Sequence, residues 1–276
     1  MTSLDTDPLS LLAHQALAGD TAALERLCRE LQGPVFRLAL RILGQPDDAS
    51  DATQEVLVHV VTHLSQYRGE SRVLTWVYTI ATRHLLRSRK RKARERSIEV
   101  LTEHVKQGLA ATEPSSAPEG EARVLERETR LGCTNAMLEC LALEERMAIV
   151  LHELGADDAL GAVLCEISEP TFRKRLSRAR QKLKPVLEDL CGLAREDAPC
   201  TCMRQARAKQ LASLPESPLR RLPVVTDAEL VQTTEAVGRL RRMGPLFGAD
   251  PPVGPPVDLW RRIREELPTL LGKEPS

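Results

Sequence analysis

The sequence predicts an all-α protein: two small helical domains joined by a flexible linker, followed by a helical C-terminal extension. Three observations carry that prediction. Apolar residues recur at three- and four-residue steps along both halves, the period of an amphipathic helix. The 276 residues include only three Phe, two Trp and two Tyr, so the cores must be built from Leu, Ala and Val, a composition that favours helix over strand. Between the halves, Glu113 to Gly120 is rich in Pro, Ser and acid and lacks the apolar surface needed to order itself.

The elements follow in order. Residues 1–19 read as a frayed or weakly helical leader. Asp20 is a good N-cap for a helix carrying Leu24, Leu27 and Leu31, expected to stop at Gly33-Pro34. Val35 to Leu43 is apolar nearly all round, ends at Gly44 and should be the buried helix. Asp47 to Leu64 carries Ala49, Ala52, Val56 and Val60 on one face, while Asp47, Asp48, Asp51 and Glu55 crowd its start, where the helix dipole favours negative charge. A loop, Gln66 to Ser71, leads to a helix striped by Leu74, Val77, Ala81 and Leu85. These four helices make a first domain over residues 20–96, followed by a linker over 97–124.

The second domain, residues 125–187, opens with a helix from Arg123 to Leu141. Next come Leu141 to Leu151 and a short helix. The last helix is capped by Ser168, has Pro170 in its first turn and is striped by Phe172, Leu176, Ala179 and Leu183. Residues 188–276 form the extension. It contains a helix from Asp227 to Met243, a Pro/Gly-rich joint from Gly244 to Pro256, and an amphipathic helix with Leu259, Trp260, Ile263 and Leu267 on one face.

The formal net charge is zero, but it is segregated: acid near 47–55 and 113–128, base near 83–96 and 173–184. Eight Lys or Arg face one acid from Arg83 to Arg96, beside Tyr67, Trp76 and Tyr78, a combination suited to stacking on unpaired bases while cations hold phosphates. Seven cations and no acid lie between Thr171 and Lys184, the layout of a recognition helix in a helix-turn-helix. No apolar run approaches the roughly 18 residues of a membrane span, and the N-terminus lacks the pattern of a signal peptide. An odd number of scattered cysteines, seven, argues for free thiols in a reducing compartment, so a cytoplasmic location is expected. An enzyme is not expected: there is no Gly-rich phosphate loop, nucleophile elbow or HExxH.

Two stretches carry a resemblance. Asp47-Asp48-Ala49, Asp51 and Gln54-Glu55, then Tyr67-Arg68-Gly69-Glu70, then Thr75-Trp76-Val77-Tyr78 with Ile80-Ala81 and the basic tail, resemble region 2 of the extracytoplasmic-function class of sigma-70 RNA polymerase sigma factors. Val56-Leu57 and Val73-Leu74 depart from its usual residues. Leu143-Glu144-Glu145-Arg146, Ile167-Ser168-Glu169-Pro170-Thr171 and Arg178-Ala179-Arg180 resemble region 4 of the same class. There Glu166 replaces a glycine in the helix-turn-helix turn, and Gly161 lies inside the supporting helix, where it should cost roughly 1 kcal/mol against Ala and soften the helix.

The resemblance implies a sigma factor that binds core RNA polymerase, reads −10 and −35 promoter elements and directs initiation at a stress or signal regulon. Its docking residues on the clamp of the largest subunit would be Asp47, Asp48, Asp51, Gln54 and Glu55. The −10 residues would be Tyr67, Arg68, Trp76, Arg83, His84, Arg87, Arg89 and Lys90, with core packing the competing role for Trp76. The −35 residues would be Thr171, Arg173, Lys174, Arg175 and Arg178. Promoter DNA and core polymerase are the implied partners, and an anti-sigma factor is a candidate the sequence does not identify. The competing reading is a helix-turn-helix regulator that acts without polymerase.

The extension resembles the cysteine-containing tails of a subgroup of this class. Cys191, Cys200 and Cys202 are candidate ligands for zinc or copper, or redox centres, in a cis-acting sensor. A fourth ligand would have to be Cys165, a carboxylate such as Glu196 or Asp197, or a partner's residue, because no histidine follows His152.

Overall fold

The computed structural model describes residues 7–87, 97–111, 119–192, 194–195, 197–211, 259 and 263. All regular elements among them are helices; the one bridge of β type pairs Cys191 with Cys200. No helix among the described residues is long and apolar enough to cross a membrane. The helix expected at 227–243, the joint at 244–256, and Trp260 and Leu267 lie outside the described residues.

The leader is not frayed over its second half. Pro8–Leu17 forms α1, whose Leu9 and Ala13 are buried against the next helix. Asp20 caps α2, accepting from the backbone N–H of Ala22 at 2.9 Å and of Ala23 at 3.0 Å. The expected stop at Gly33-Pro34 does not occur: α2 runs unbroken from Thr21 to Leu43 with Pro34 inside it. An interior proline costs about 3 kcal/mol. Leu27, Leu31, Val35, Leu38 and Ile42 are all fully buried along this one rod, each worth about 1.5–3 kcal/mol, so packing overrides the breaker. The helix ends where expected, at Gly44 with φ 77°. There a Cβ would come within 2.6 Å of Glu139 Oε1.

Next come α3 (Pro46–His63), a 3₁₀ turn (Leu64–Gln66) and α4 (Val73–Arg87). They pack with α1 and α2 as a small bundle. The expected linker is partly helical. Ile98–Ala111 forms α5, which packs on the later helices α6 (Glu119–Glu139), α9 (Glu169–Leu187) and α10 (Cys202–Leu211).

Between α6 and α9 lie α7 (Leu143–Glu153) and α8 (Asp158–Cys165); α8, its turn and α9 form the helix-turn-helix. Glu166 occupies the left-handed region at φ 54°, a conformation that suits the glycine expected at this turn. Ser168 stands at the N-cap of α9, but its hydroxyl pairs with Thr171 Oγ1 at 2.9 Å rather than with a backbone N–H. Gly161 does not mark a soft helix. A Cβ there would lie 2.2 Å from Cζ of the fully buried Phe172, so glycine is what lets the α9 ring seat on α8.

The two helical halves share one hydrophobic core, which includes Ile42, Val77, Met147, Leu164 and Phe172. Helix α4 packs on α7 and α8, and α2 packs on α6 and α7. The fully buried Arg146 of α7 donates to Ile42 O on α2 at 2.5 Å and to Leu141 O at 3.2 Å. Of the extension, Leu259 and Ile263 are helical and fully buried, and Ile263 joins the main core.

Candidate nucleic-acid interface

Three surfaces present the charged residues that the sequence singles out. On α3, the apolar face Ala49, Ala52, Val56 and Val60 is buried, which turns the acidic face outward. Asp47, Asp51 and Glu55 recur every four residues and are exposed, while Asp48 and Gln54 are half-buried. The five candidate docking residues therefore lie along one helix.

The second surface is the loop before α4 and the exposed side of α4. Tyr67 is not a surface residue. It is buried, tilted against Trp76 with ring centroids 5.6 Å apart, and its hydroxyl donates to Ser71 O at 2.7 Å. That hydroxyl is also 3.3 Å from Ser10 Oγ on α1. The ring is used to brace the loop and is not presented to a base. Trp76 is half-buried beside it, so the core-packing alternative for Trp76 describes its position. Arg68, Arg83 and Arg87 are exposed. His84 is half-buried, with Nε2 3.5 Å from Glu55 Oε2, which links the acidic face of α3 to α4. Arg89 and Lys90 lie outside the described residues.

Arg83 has a partner that its sequence neighbours do not announce. Its guanidinium binds the Glu166 carboxylate in a forked pair, with Nε donating to Oε2 at 3.2 Å. That hydrogen bond holds the Glu166 carboxyl below its usual range, with the nearby charges of Arg83 and Arg87 acting in the same direction. The turn residue of the helix-turn-helix thus clasps the basic helix of the other half. No local sequence signal predicts this pair, because it depends on how the halves pack.

The third surface is α9. Burial of Phe172, Leu176, Ala179 and Leu183 leaves Thr171, Arg173, Lys174, Arg178 and Arg180 exposed and Arg175 half-buried. Arg173 Nε is 3.5 Å from Asp158 Oδ2, an exposed pair of the kind that contributes about 0–1 kcal/mol and yields readily to a phosphate. Further along, Lys182 Nζ bonds Glu145 Oε2 at 2.7 Å and Arg180 Nη2 is 2.6 Å from His152 Nε2, so this end is tied to α7.

At the end of α7, Glu153 is pushed up to about 7 by burial, with Arg41 and Arg180 opposing the shift. Of the cysteines, Cys165 is buried in α8 beside Arg175, away from the other candidates. Cys191, Cys200 and Cys202 are half-buried around a pocket that Cys133 of α6 also lines. Burial pushes the Cys200 thiol up to about 11 and that of Cys202 up to about 12. Among the described residues, no three His, Cys, Asp or Glu side chains already stand in an array that could hold a metal ion.

The sequence matches the profile of Sigma-70 region 2 over residues 27–95. It is 31% identical over 154 residues to the ECF RNA polymerase sigma factor EcfG of Rhodopseudomonas palustris, covering 54% of this chain and 76% of that protein. It is 25% identical over 185 residues to RNA polymerase sigma-H factor of Pseudomonas aeruginosa, covering 65% of this chain and 93% of that protein. Among solved structures, CnrH in complex with the cytosolic domain of CnrY aligns with a TM-score of 0.45 at 22% identity, covering 66% of this chain and 97% of that one.

Proposed function

Because this chain belongs to the extracytoplasmic-function family of sigma-70 RNA polymerase sigma factors, we propose that α3 docks it on core polymerase and that promoter reading is divided between α4 and α9. In this reading residues 20–96 act as region 2 and residues 125–187 as region 4. The exposed row Asp47, Asp51 and Glu55 is the observation that carries the docking assignment. A row of carboxylates on a helix whose opposite face is buried has no role in the core, and it offers a charged surface to a cationic partner.

Opening of the −10 element falls to Arg68 in the loop and to Arg83, His84 and Arg87 on α4. Duplex reading of the −35 element falls to Arg173, Lys174 and Arg178, where a bidentate base contact is worth roughly 1–3 kcal/mol of discrimination. Both acts take place in the cytoplasm. A helix-turn-helix regulator working without polymerase leaves the region 2 match over 27–95 without a purpose.

The test is run-off transcription and co-purification with core polymerase. Asp51→Lys with Glu55→Lys should abolish co-purification while far-ultraviolet circular dichroism stays unchanged. Normal binding by the reversed protein would refute the docking assignment.

A further inference from the structure

Four of the seven cysteines meet at one pocket, and they arrive from three separate places in the chain. Cys133 is on α6, Cys191 follows α9, and Cys200 and Cys202 flank the start of α10. We propose that Cys133, Cys191, Cys200 and Cys202 bind one zinc ion as a four-thiolate site that fastens the extension to α6.

The backbone prepares the site. Cys191 and Cys200 are bridge partners, held by Gly192 N–H donating to Cys200 O at 2.8 Å and Cys200 N–H donating to Leu190 O at 2.9 Å. The approach is so close that a Cβ at residue 192 would stand 2.7 Å from Cys200 O. The Cys-x-Cys spacing then puts Cys202 at the first residue of α10, a helix that packs on both α5 and α6. Cys133 and Cys191 stand near enough to Cys200 and Cys202 to act on them electrostatically. None of the four is held in a disulfide.

Size and charge select the ligand class. The pocket holds about 40 Å³, room for an ion and far short of the several hundred Å³ that organic ligands occupy. Four sulfur donors in tetrahedral array are a structural zinc set. Four thiolates and Zn²⁺ sum to a net charge of −2. Arg130 lines the pocket, and Arg204, which donates to Pro199 O at 3.0 Å and Leu109 O at 3.3 Å, is near enough to Cys200 to act on its charge, so two guanidinium groups stand close to where that charge would fall. The thiols are not yet gathered into a ligating array, so binding draws them inward. The ion then joins α6, the end of α9 and α10. Cys133 is the fourth ligand that spacing alone does not reveal, because it lies far upstream of the other three.

The full-length chain, reduced and stripped of metal, provides the test. Zn²⁺ titrated against a competing chelator should bind one equivalent, and Co²⁺ in its place should give the visible and near-ultraviolet bands of a four-sulfur tetrahedral site. Cys133→Ser should weaken zinc binding by at least the roughly 10–100-fold attached to lesser, outer-shell changes, while Cys165→Ser leaves it unchanged. No zinc bound, a cobalt spectrum of fewer than four sulfurs, or loss of binding on Cys165→Ser instead of Cys133→Ser would overturn the assignment. The cobalt spectrum needs no substitution, so it decides even if Cys133→Ser fails to fold. Neither readout uses transcription, so failure here leaves the docking reading untouched.

Discussion

Two single residues set opposite tests of packing and charge. By helix propensity, Gly161→Ala should stabilise α8 by about 1 kcal/mol. The position of the Phe172 ring, with Cε1, Cε2 and Cζ all within 2.6 Å of the added Cβ, reverses the sign. Overpacking a well-filled contact costs about 1–3 kcal/mol, so urea denaturation should show Gly161→Ala less stable, with Phe172→Leu in the same chain recovering part of the loss. A gain in stability would mean that the ring does not sit on Gly161. Glu153 tests charge. Its folded pKa is raised from 4.5 to about 7 by burial, against the pull of Arg41 and Arg180. A raised pKa means that the folded chain holds the proton more tightly, so this contribution to stability is full below pH 4.5 and is lost as pH rises toward 7. Glu153→Gln should therefore leave Tm nearly unchanged at pH 4.5 and raise it at pH 8. An equal effect at both pH values would refute the burial of that carboxyl.

At the scale of the element, the helix-turn-helix turn balances two small effects that magnitudes can separate. A non-glycine residue in the left-handed region costs roughly 1–2 kcal/mol, and Glu166 adopts it at φ 54°. Its ion pair with Arg83 is nearly half exposed on both sides and is worth about 0–1 kcal/mol. Glu166→Gly should thus raise thermal stability even though it removes the pair; a fall in Tm would show that the clasp outweighs the strain. The same turn shows what was legible in the chain. The missing glycine is visible in sequence because it is a local backbone requirement, and so are the Asp20 cap, the Gly44 stop and the Phe172-to-Leu183 stripe. Gly33-Pro34 misleads because a propensity of a few kcal/mol competes with five buried side chains, and burial is not a local property. Tyr67 misleads likewise: an aromatic in a polar loop looks available until α1 closes over it, and α1 belongs to the stretch that reads as a frayed leader. Helix α5 escapes notice because its apolar face is covered by α9 and α10, elements far away in sequence.

For the molecule as a whole, the packing of the two halves is in tension with the work proposed for them. Reading two separated promoter elements at once requires the surfaces of α4 and α9 to move apart, yet α4 lies on α8, and Arg83, a candidate −10 contact, is held by Glu166 of the other half. The strength of the seam resides in its buried part. Arg146 is fully enclosed and donates across the seam to Ile42 O; leaving that carbonyl buried and unpaired would cost about 1–3 kcal/mol. The exposed ion pair adds little and is screened by salt. Part of the seam is unfilled: a pocket of about 210 Å³ lies between Leu74 and Tyr78 on α4 and Leu151, Leu160 and Leu164 opposite. A seam that leaves apolar space unfilled is one that a large docking surface could open, since any partner binding only the open state shifts the equilibrium toward it. Fluorophores at Thr62, on the exposed side of α3, and at Ser177, on the exposed side of α9, report the separation. Energy transfer should be high in the free chain, insensitive to moderate salt, and reduced when core polymerase is added. Transfer that stays constant through polymerase binding would mean that the halves act on DNA as one body, and that the division of the promoter between α4 and α9 has to be redrawn.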